Sequence, residues 1–372
     1  MQALAKRNKT ANLSNRLLDA ISAMSLHRHD ESLFEELALA LFEKQHAENK
    51  TYRALCDQHG KSPATLDEWH EIPAVTTSAF KSARLACFPS APEEIYFQTS
   101  GTTAQISGRH YFRTLEFYRA AALRSFKAYG LPDRDKMRML ILGPTAEHFP
   151  HSSLGFMFSE VHNAFGTIKS AGHFSQTGLA VENAVAGLDA AIADDEPVFL
   201  LGTSLALLEL MSRLRDQCRR LELPNGSRVL DTGGYKGSYV EISQPRFMEM
   251  LCEWFGVTTD FIINEYGMTE LSSQFYESRL PGVPLADKRS AIKFAPPWTR
   301  VVAVDPATLE MLPDGETGML RIFDLANFDS VVAIQTEDLG RAWPDRMELL
   351  RRATGAELRG CSLLTESILR MG

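Results

Sequence analysis

Apolar residues recur every three or four positions through the first 60 residues. Phe34, Leu37, Ala38, Leu41 and Phe42 share one face, with Glu35, Glu36, Glu43 and Lys44 opposite, which predicts amphipathic helices packing an apolar stripe inward. Pro63, Pro73, Pro89 and Pro92 punctuate the next segment, so loops lead into the strand-like run Ile95, Tyr96, Phe97. Residues 109–113 read as its return strand. Thr114 is placed to cap a helix running to Tyr129, closed by Gly130-Leu131-Pro132. Residues 137–142 are apolar but for Arg138, the mark of a short buried strand. From Gly143 to Gly178 the pattern is irregular, with His148, Phe149, His151, Phe156, Met157, Phe158, His162 and Phe165.

Regular alternation then resumes. Strands are expected at 198–201, at 229–230 ending in Thr232-Gly233-Gly234, and at 261–263, with helices at 204–221 and 245–255. Strands alternating with helices imply an α/β fold with a parallel sheet, whose ligands sit beyond the carboxyl ends of the strands. Thr99, Gly233 and Tyr266 each follow such a predicted end. From Ala291 the texture turns to β, with a strand at 301–304, a Pro313-Asp314-Gly315 turn and a partner at 319–323. Neither a repeat nor a low-complexity segment interrupts the chain. The expected organisation is one large domain over residues 1–340, N-terminal helices 1–60 included, and a short terminal segment over 341–372.

At 372 residues the chain exceeds the size of a single simple core. Its 44% hydrophobic and 23% charged residues are ordinary for a globular protein. A net charge of −8 argues against nucleic acid as a partner. The first seven residues lack the apolar core of a signal peptide, and the apolar-rich run 198–211 is too short to span a bilayer. Five scattered cysteines (Cys56, Cys87, Cys218, Cys252, Cys361) without Cys-x-x-Cys spacing read as reduced thiols. A cytoplasmic location is therefore expected. The histidines between 143 and 178 lack a metal-ligand pattern with carboxylates, which argues against zinc.

Candidate chemistry lies in three glycine-containing stretches. Thr99-Ser100-Gly101-Thr102-Thr103 follows the run 95–97; hydroxyls and backbone N–H groups around one glycine suit a polyphosphate, although the same composition also makes a plain turn. No Gly-Lys-Ser/Thr closes it, so it is not a Walker A loop. Glu265-Tyr266-Gly267-Met268-Thr269-Glu270 is a second stretch, and Thr336-Glu337-Asp338-Leu339-Gly340 a third. Together and in this order they resemble the phosphate-loop, Tyr-Gly-x-Thr-Glu and Thr-Gly-Asp motifs of the adenylate-forming superfamily of acyl-CoA synthetases, peptide-synthetase adenylation domains and luciferases.

The resemblance implies that enzyme's large domain, built of stacked α/β subdomains and a small β-rich one, with ATP and Mg²⁺ as cofactors. Thr99, Ser100, Gly101, Thr102 and Thr103 would hold the β- and γ-phosphates. The family's lysine is missing here, where Ala104-Gln105-Ile106-Ser107 stands, leaving phosphate charge to Mg²⁺ and Arg109. Glu270 would bind Mg²⁺, a hard cation suited to carboxylate and phosphate oxygens; the plainer alternative is a solvated surface acid. Thr269 would contact the α-phosphate, while Glu265, Tyr266 and Gly267 belong to the nucleotide-binding set. Gly233 and Gly234 match the adenine-contacting element. Lys236 is either a catalytic cation or an exposed lysine. Asp338 would bind the ribose, followed by Arg351 or Arg352. The aromatic stretch 143–178 would line an acyl pocket, or it is aromatic core with surface histidines.

Only twelve residues follow Gly360, where larger relatives continue for a further domain of on the order of a hundred residues. Gly233-Gly234-Tyr235-Lys236-Gly237, Ile72-Pro73, Phe80-Lys81 and Arg359-Gly360-Cys361-Ser362 resemble the acyl-protein synthetase (LuxE-type) branch. That resemblance implies activation of a carboxylic acid, in the family a fatty acid, to acyl-AMP. Acyl transfer to Cys361 and on to a partner such as a fatty-acid reductase would follow. A thiolate beside arginine is a strong nucleophile, although a buried structural cysteine is the common alternative. A compact ligase using CoA or a carrier protein, and a non-catalytic ATP-binding scaffold, remain open. Which acid is used, the final acceptor and the oligomeric state are not legible.

Overall fold

The computed structural model describes residues 2–26, 29–99, 107–233, 242–283 and 291–354, without the side chains of 2–9. Two compact units divide these residues. One is drawn from Met1–Arg124, Met268–Ser273 and Ala291–Gly372, and the other from Ser125–Gly267 and Gln274–Ser290.

The second unit carries the parallel sheet expected from the alternation. Its strands run Phe275–Glu277, Ile262–Tyr266, Arg228–Thr232, Val198–Thr203, Arg138–Leu142 and Ala171–Gly172 in spatial order. All neighbouring pairs are parallel except the first. Strands covered on both faces read as continuous apolar runs; the runs at 138–142 and 198–202 are buried throughout. Helices Val181–Ala193, Ser204–Asp216 and Gln244–Phe255 pack against them through Leu188, Leu207, Leu210, Phe247 and Leu251. Thr203 caps the helix that begins at Ser204, its hydroxyl accepting from Ala206 N at 3.3 Å.

One stretch departs from expectation. The helix Ser153–Phe165 occupies the middle of the segment that reads as irregular. Ser152 caps it by accepting from Gly155 N at 3.0 Å, and Met157, Phe158 and Val161 form its buried stripe.

The first unit is antiparallel in its main β run, with one parallel pair. Ile292–Phe294, Arg346–Arg352, Ala333–Trp343, Thr317–Asp324 and Thr299–Val304 follow one another in the sheet, and Val75–Thr76 pairs parallel to Ala333–Trp343. Residues 340 and 341, where the sequence places the start of a terminal segment, lie inside the strand Ala333–Trp343. Gln2–Ala23, Glu31–Glu48 and Lys50–Gln58 are the expected N-terminal helices. Asp30 caps the second, and Asn49 both ends it and caps the third by accepting from Tyr52 N at 3.1 Å. Lys44, expected on the solvent face, is instead buried. Its ammonium donates to Phe328 O at 3.0 Å and lies 4.0 Å above the Phe328 ring.

Ile95–Gln98 and Arg109–Phe112 pair antiparallel as a separate two-stranded sheet. Thr99 therefore follows a hairpin strand and not, as the alternation suggested, the end of a parallel one. The parallel strands do end at Gly233 and Tyr266. No helix among the described residues is long and apolar enough to cross a membrane.

Candidate active site

The motif Tyr266-Gly267-Met268-Thr269-Glu270 straddles the division between the units, which falls after Gly267. Each half is built by different means.

In the second unit, the ends of three adjacent parallel strands carry hydrogen-bonded polar side chains. Ser204 donates to Asp231 Oδ1 at 2.6 Å, and the Asn264 amide donates to Asp231 Oδ2 at 2.9 Å. The Thr232 hydroxyl donates to Glu265 Oε2. Asp231 and Glu265 are both buried, and buried carboxylates need such donors to offset lost hydration. Gly267 leaves room for this group: a Cβ there would lie 2.6 Å from Glu265 Oε1 and the carboxylate would have to shift. Gly233 closes its strand at φ +81°, a backbone conformation costly for residues with a side chain, with open space where its Cβ would be. Tyr266 meets Phe275 edge-on with ring centroids 6.1 Å apart. Gly233, Glu265, Tyr266 and Gly267 are thus gathered at one end of one sheet. Gly234 and Lys236 lie outside the described residues.

In the first unit, Thr99 and Gly108 close the base of the 99–108 loop. Thr99 N donates to Gly108 O at 2.9 Å, and Gly108 N donates to Thr99 Oγ1 at 2.8 Å. Ser100, Gly101, Thr102 and Thr103 are outside the described residues. Arg109 stands 4.8 Å over the Tyr96 ring. One residue further, His110 is fully buried with Nδ1 2.8 Å from Thr269 O and Nε2 2.8 Å from Ser330 Oγ. A carbonyl only accepts, so Nδ1 carries the proton and Nε2 accepts from the Ser330 hydroxyl. Burial pushes the ring down to about 4, against the opposing pull of the Thr269 carbonyl, so it is neutral near pH 7.

The segment carrying Thr269 and Glu270 is fastened at further points. Asn327 Nδ2 donates to Glu270 O at 3.0 Å. Asp324 accepts at Oδ2 from Ser272 N (3.0 Å) and Ser273 N (2.9 Å), and at Oδ1 from the Ser273 hydroxyl (2.8 Å) and Ala326 N (2.9 Å). Burial nevertheless pushes Asp324 up to about 6. Trp298 Nε1 donates to Ser273 Oγ at 2.9 Å. Glu270 is only 7% exposed, which disposes of a solvated surface acid.

Asp338 lies directly opposite Arg352 across the antiparallel strands, and Leu339 opposite Arg351. Opposed residues share a face of the sheet, so Arg352 and Asp338 project together and Arg351 does not. Arg352 Nη2 donates to Glu337 Oε2 at 2.6 Å. Desolvation lowers its pKa, but Glu337, Asp338 and Glu270 outweigh that and hold it above the usual guanidinium value. The first unit therefore brings together the base of the 99–108 loop, Thr269, Glu270, Asp338 and Arg352.

Cys361 lies outside the described residues. Among the other cysteines, burial pushes Cys56 and Cys87 up to about 12, Cys252 is half-buried and Cys218 is exposed. His110, Asp324, Asn327, Ser330, Ser204, Asp231 and Asn264 were not singled out by sequence. Asp231, just before Thr232-Gly233-Gly234, and Asn264, just before Glu265, carried a signal as neighbours of a motif.

Solved structures place the fold in a class. Over 90% of this chain and 77% of the other, it matches an open conformation of 2-hydroxyisobutyryl-CoA ligase in complex with 2-HIB-AMP and CoA, with a TM-score of 0.63 at 13% identity. The postadenylation state of that ligase with 2-HIB-AMP gives a TM-score of 0.62 at 13% identity, over 86% of this chain and 67% of the other. The fold is that of the adenylate-forming enzymes. Residues 3–369 match the sequence profile described as "Acyl-protein synthetase, LuxE", and the chain belongs to that family. Two relatives are long-chain-fatty-acid–luciferin-component ligases. That of Vibrio harveyi is 22% identical over 352 residues, and that of Aliivibrio fischeri 23% identical over 354; each match covers 90% of this chain and 88% of the relative.

Proposed function

We propose that this protein activates a long-chain fatty acid with ATP and transfers the acyl group, through Cys361, to a partner protein. What carries the reading is membership of the acyl-protein synthetase family over residues 3–369, together with the named activity of the two relatives. A carboxylate is a poor electrophile. In the proposed first step its oxygen attacks the α-phosphorus, the bond to the β-phosphate oxygen breaks, and pyrophosphate leaves. In the second, the Cys361 thiolate attacks the acyl carbon of the mixed anhydride and AMP leaves. Exchange with a thiol of an acceptor, a reductase subunit by family analogy, then frees Cys361.

In this reading the hydroxyls and N–H groups of residues 99–103 hold the β- and γ-phosphates, and Thr269 meets the α-phosphate. Gly233, Gly234, Glu265, Tyr266 and Gly267 flank the adenine, Asp338 holds the ribose, and Lys236 supplies positive charge. The opposed pair Asp338 and Arg352 supports Arg352 over Arg351 at the nucleotide. Glu270 would hold Mg²⁺, which when bound neutralises phosphate charge. No group of three or more His, Cys, Asp or Glu side chains able to hold a metal occurs among the described residues. One carboxylate fits this ion all the same, because Mg²⁺ takes its other ligands from phosphates and water. Low positioning energy at each contact adds up when reacting atoms are held in line.

The test is acid-dependent exchange of radiolabelled pyrophosphate into ATP with tetradecanoate, followed by labelling of the protein with the radioactive acid. Wild type should do both, and Glu270→Ala should lose exchange by about 10²–10³-fold. Cys361→Ser should keep exchange and lose the label. A thioester formed only when CoA is supplied would replace the acyl-protein reading with a CoA ligase, and absence of exchange with any acid would leave a scaffold.

A further inference from the structure

His110 is a buried, doubly bonded histidine that no step above uses. It stands two residues after Gly108, which closes the base of the 99–108 loop, and opposite Phe97 in the hairpin register. Its Nδ1–H reaches 159 residues along the chain to Thr269 O. Its Nε2 is occupied by Ser330, from the loop after strand Thr317–Asp324 that also supplies Asn327, and Asp324 at that strand's end bonds Ser272 and Ser273 beyond Glu270. The rings of Phe80 and Phe112 flank it at centroid distances of 5.6 and 4.1 Å.

We infer that His110 is a positioning residue that sets the spacing between the Thr99–Gly108 base, from which the phosphate loop of the reading above springs, and Thr269 at the α-phosphate. The inference rests on the nucleotide reading given above for those two motifs. A loop that grips the end of the triphosphate is useful only if the residue at the α-phosphorus is held at a fixed separation from it. A displacement of about 1 Å at a reacting centre costs on the order of 10²-fold in rate. Backbone pairing does not set that separation, since the hairpin forms a sheet of its own. The side-chain bond from His110 does. Ser330 has a definite part: by donating to Nε2 it fixes the tautomer whose Nδ1 carries the proton. Because the ring is held neutral near pH 7, this arrangement persists over the working range.

The amide nitrogen of asparagine falls where histidine has Nδ1, whereas that of glutamine falls where it has Nε2. His110→Asn keeps the bond to Thr269 and loses the one to Ser330; His110→Gln does the opposite; His110→Phe loses both while filling the space. In tetradecanoate-dependent pyrophosphate exchange, His110→Asn should stay within about 5-fold of wild type. His110→Gln and His110→Phe should lose about 10²-fold in kcat with the KM for tetradecanoate unchanged. Deuterium uptake at the amides of Leu271, Ser272 and Ser273, measured without nucleotide, should stay slow in His110→Asn and rise at least about 10-fold in His110→Gln. Equal losses in Asn and Gln variants, or losses that merely track a lowered Tm, overturn the inference. A wild-type protein with no exchange overturns the nucleotide reading and with it any catalytic use of the strut, while the deuterium arm still decides whether His110 tethers the segment.

Discussion

The two units hold their motif residues by opposite means. In the second, Gly233 and Tyr266 arrive together because adjacent parallel strands all end at one edge, and a core of Leu200, Phe247 and Leu251 supports them. In the first, the Arg109–Phe112 strand and the Thr269 segment are joined because His110, Asp324, Asn327 and Ser330 bond one segment to another. Topology does the work in one and buried polar chemistry in the other. Apolar burial is non-directional and tolerates small shifts, whereas a hydrogen bond of 2.8 Å does not. Geometry should therefore be most sensitive in the first unit and bulk stability in the second.

The largest effect expected from that contrast is on stability. Phe247→Ala, in the apolar core of the second unit, should cost about 4 kcal/mol in denaturant unfolding, while the folded fraction keeps the wild-type KM for ATP. Asp324→Asn should cost less, roughly 2 kcal/mol at pH 7, yet lower kcat for exchange, because it loosens the segment carrying Glu270. If Phe247→Ala alters KM, or Asp324→Asn leaves kcat untouched, the contrast fails.

A smaller effect is the pH response of the polar hub. Asp324 is pushed up from an ordinary 3.8 to about 6, so its contribution to stability is whole below pH 3.8 and is lost as pH rises through 6. His110 is pushed down from 6.5 to about 4, so its contribution is whole above pH 6.5 and is lost as pH falls through 4. Between pH 4 and 6.5 the two slopes oppose each other. His110→Asn should leave stability falling as pH rises through that window, and Asp324→Asn should leave it rising, each by roughly 2–3 kcal/mol. Tm measured against pH checks both signs, and parallel profiles in the two variants refute the assignment.

The smallest effect concerns the arginine pair. Arg352→Ala removes an exposed ion pair with Glu337 and should cost under about 1 kcal/mol, yet raise the KM for ATP several-fold. Arg351→Ala should change neither. A larger KM change in Arg351→Ala would return the nucleotide contact to that residue.

The same contrast explains what could be read in advance. Apolar runs at 139–142 and 198–202, separated by helical stretches, announce parallel strands from local pattern alone, and the glycines past their ends follow from chain direction. The helix Ser153–Phe165 was obscured by histidines and phenylalanines on both faces, although Ser152 with Met157, Phe158 and Val161 spaced behind it was a legible cap and stripe. Residues 109–113 read correctly as the return strand of 95–97, a reading that should already keep Thr99 apart from the ends of the parallel strands. His110, Asp324 and Ser330 left no local trace. Their partners lie 159, 51 and 220 residues away, and a polar residue in a strand or loop looks the same in sequence whether it faces water or another segment. Lys44 was misread for the same reason.

The interior thiols have one more consequence. With Cys56 and Cys87 held near 12, almost none of either is thiolate at neutral pH, and thiolate is the form that attacks an activated acyl group. An enzyme that generates so promiscuous an electrophile inside itself is protected from self-acylation at those sulfurs, a chemical quietness written into the same packing that holds the domain folded.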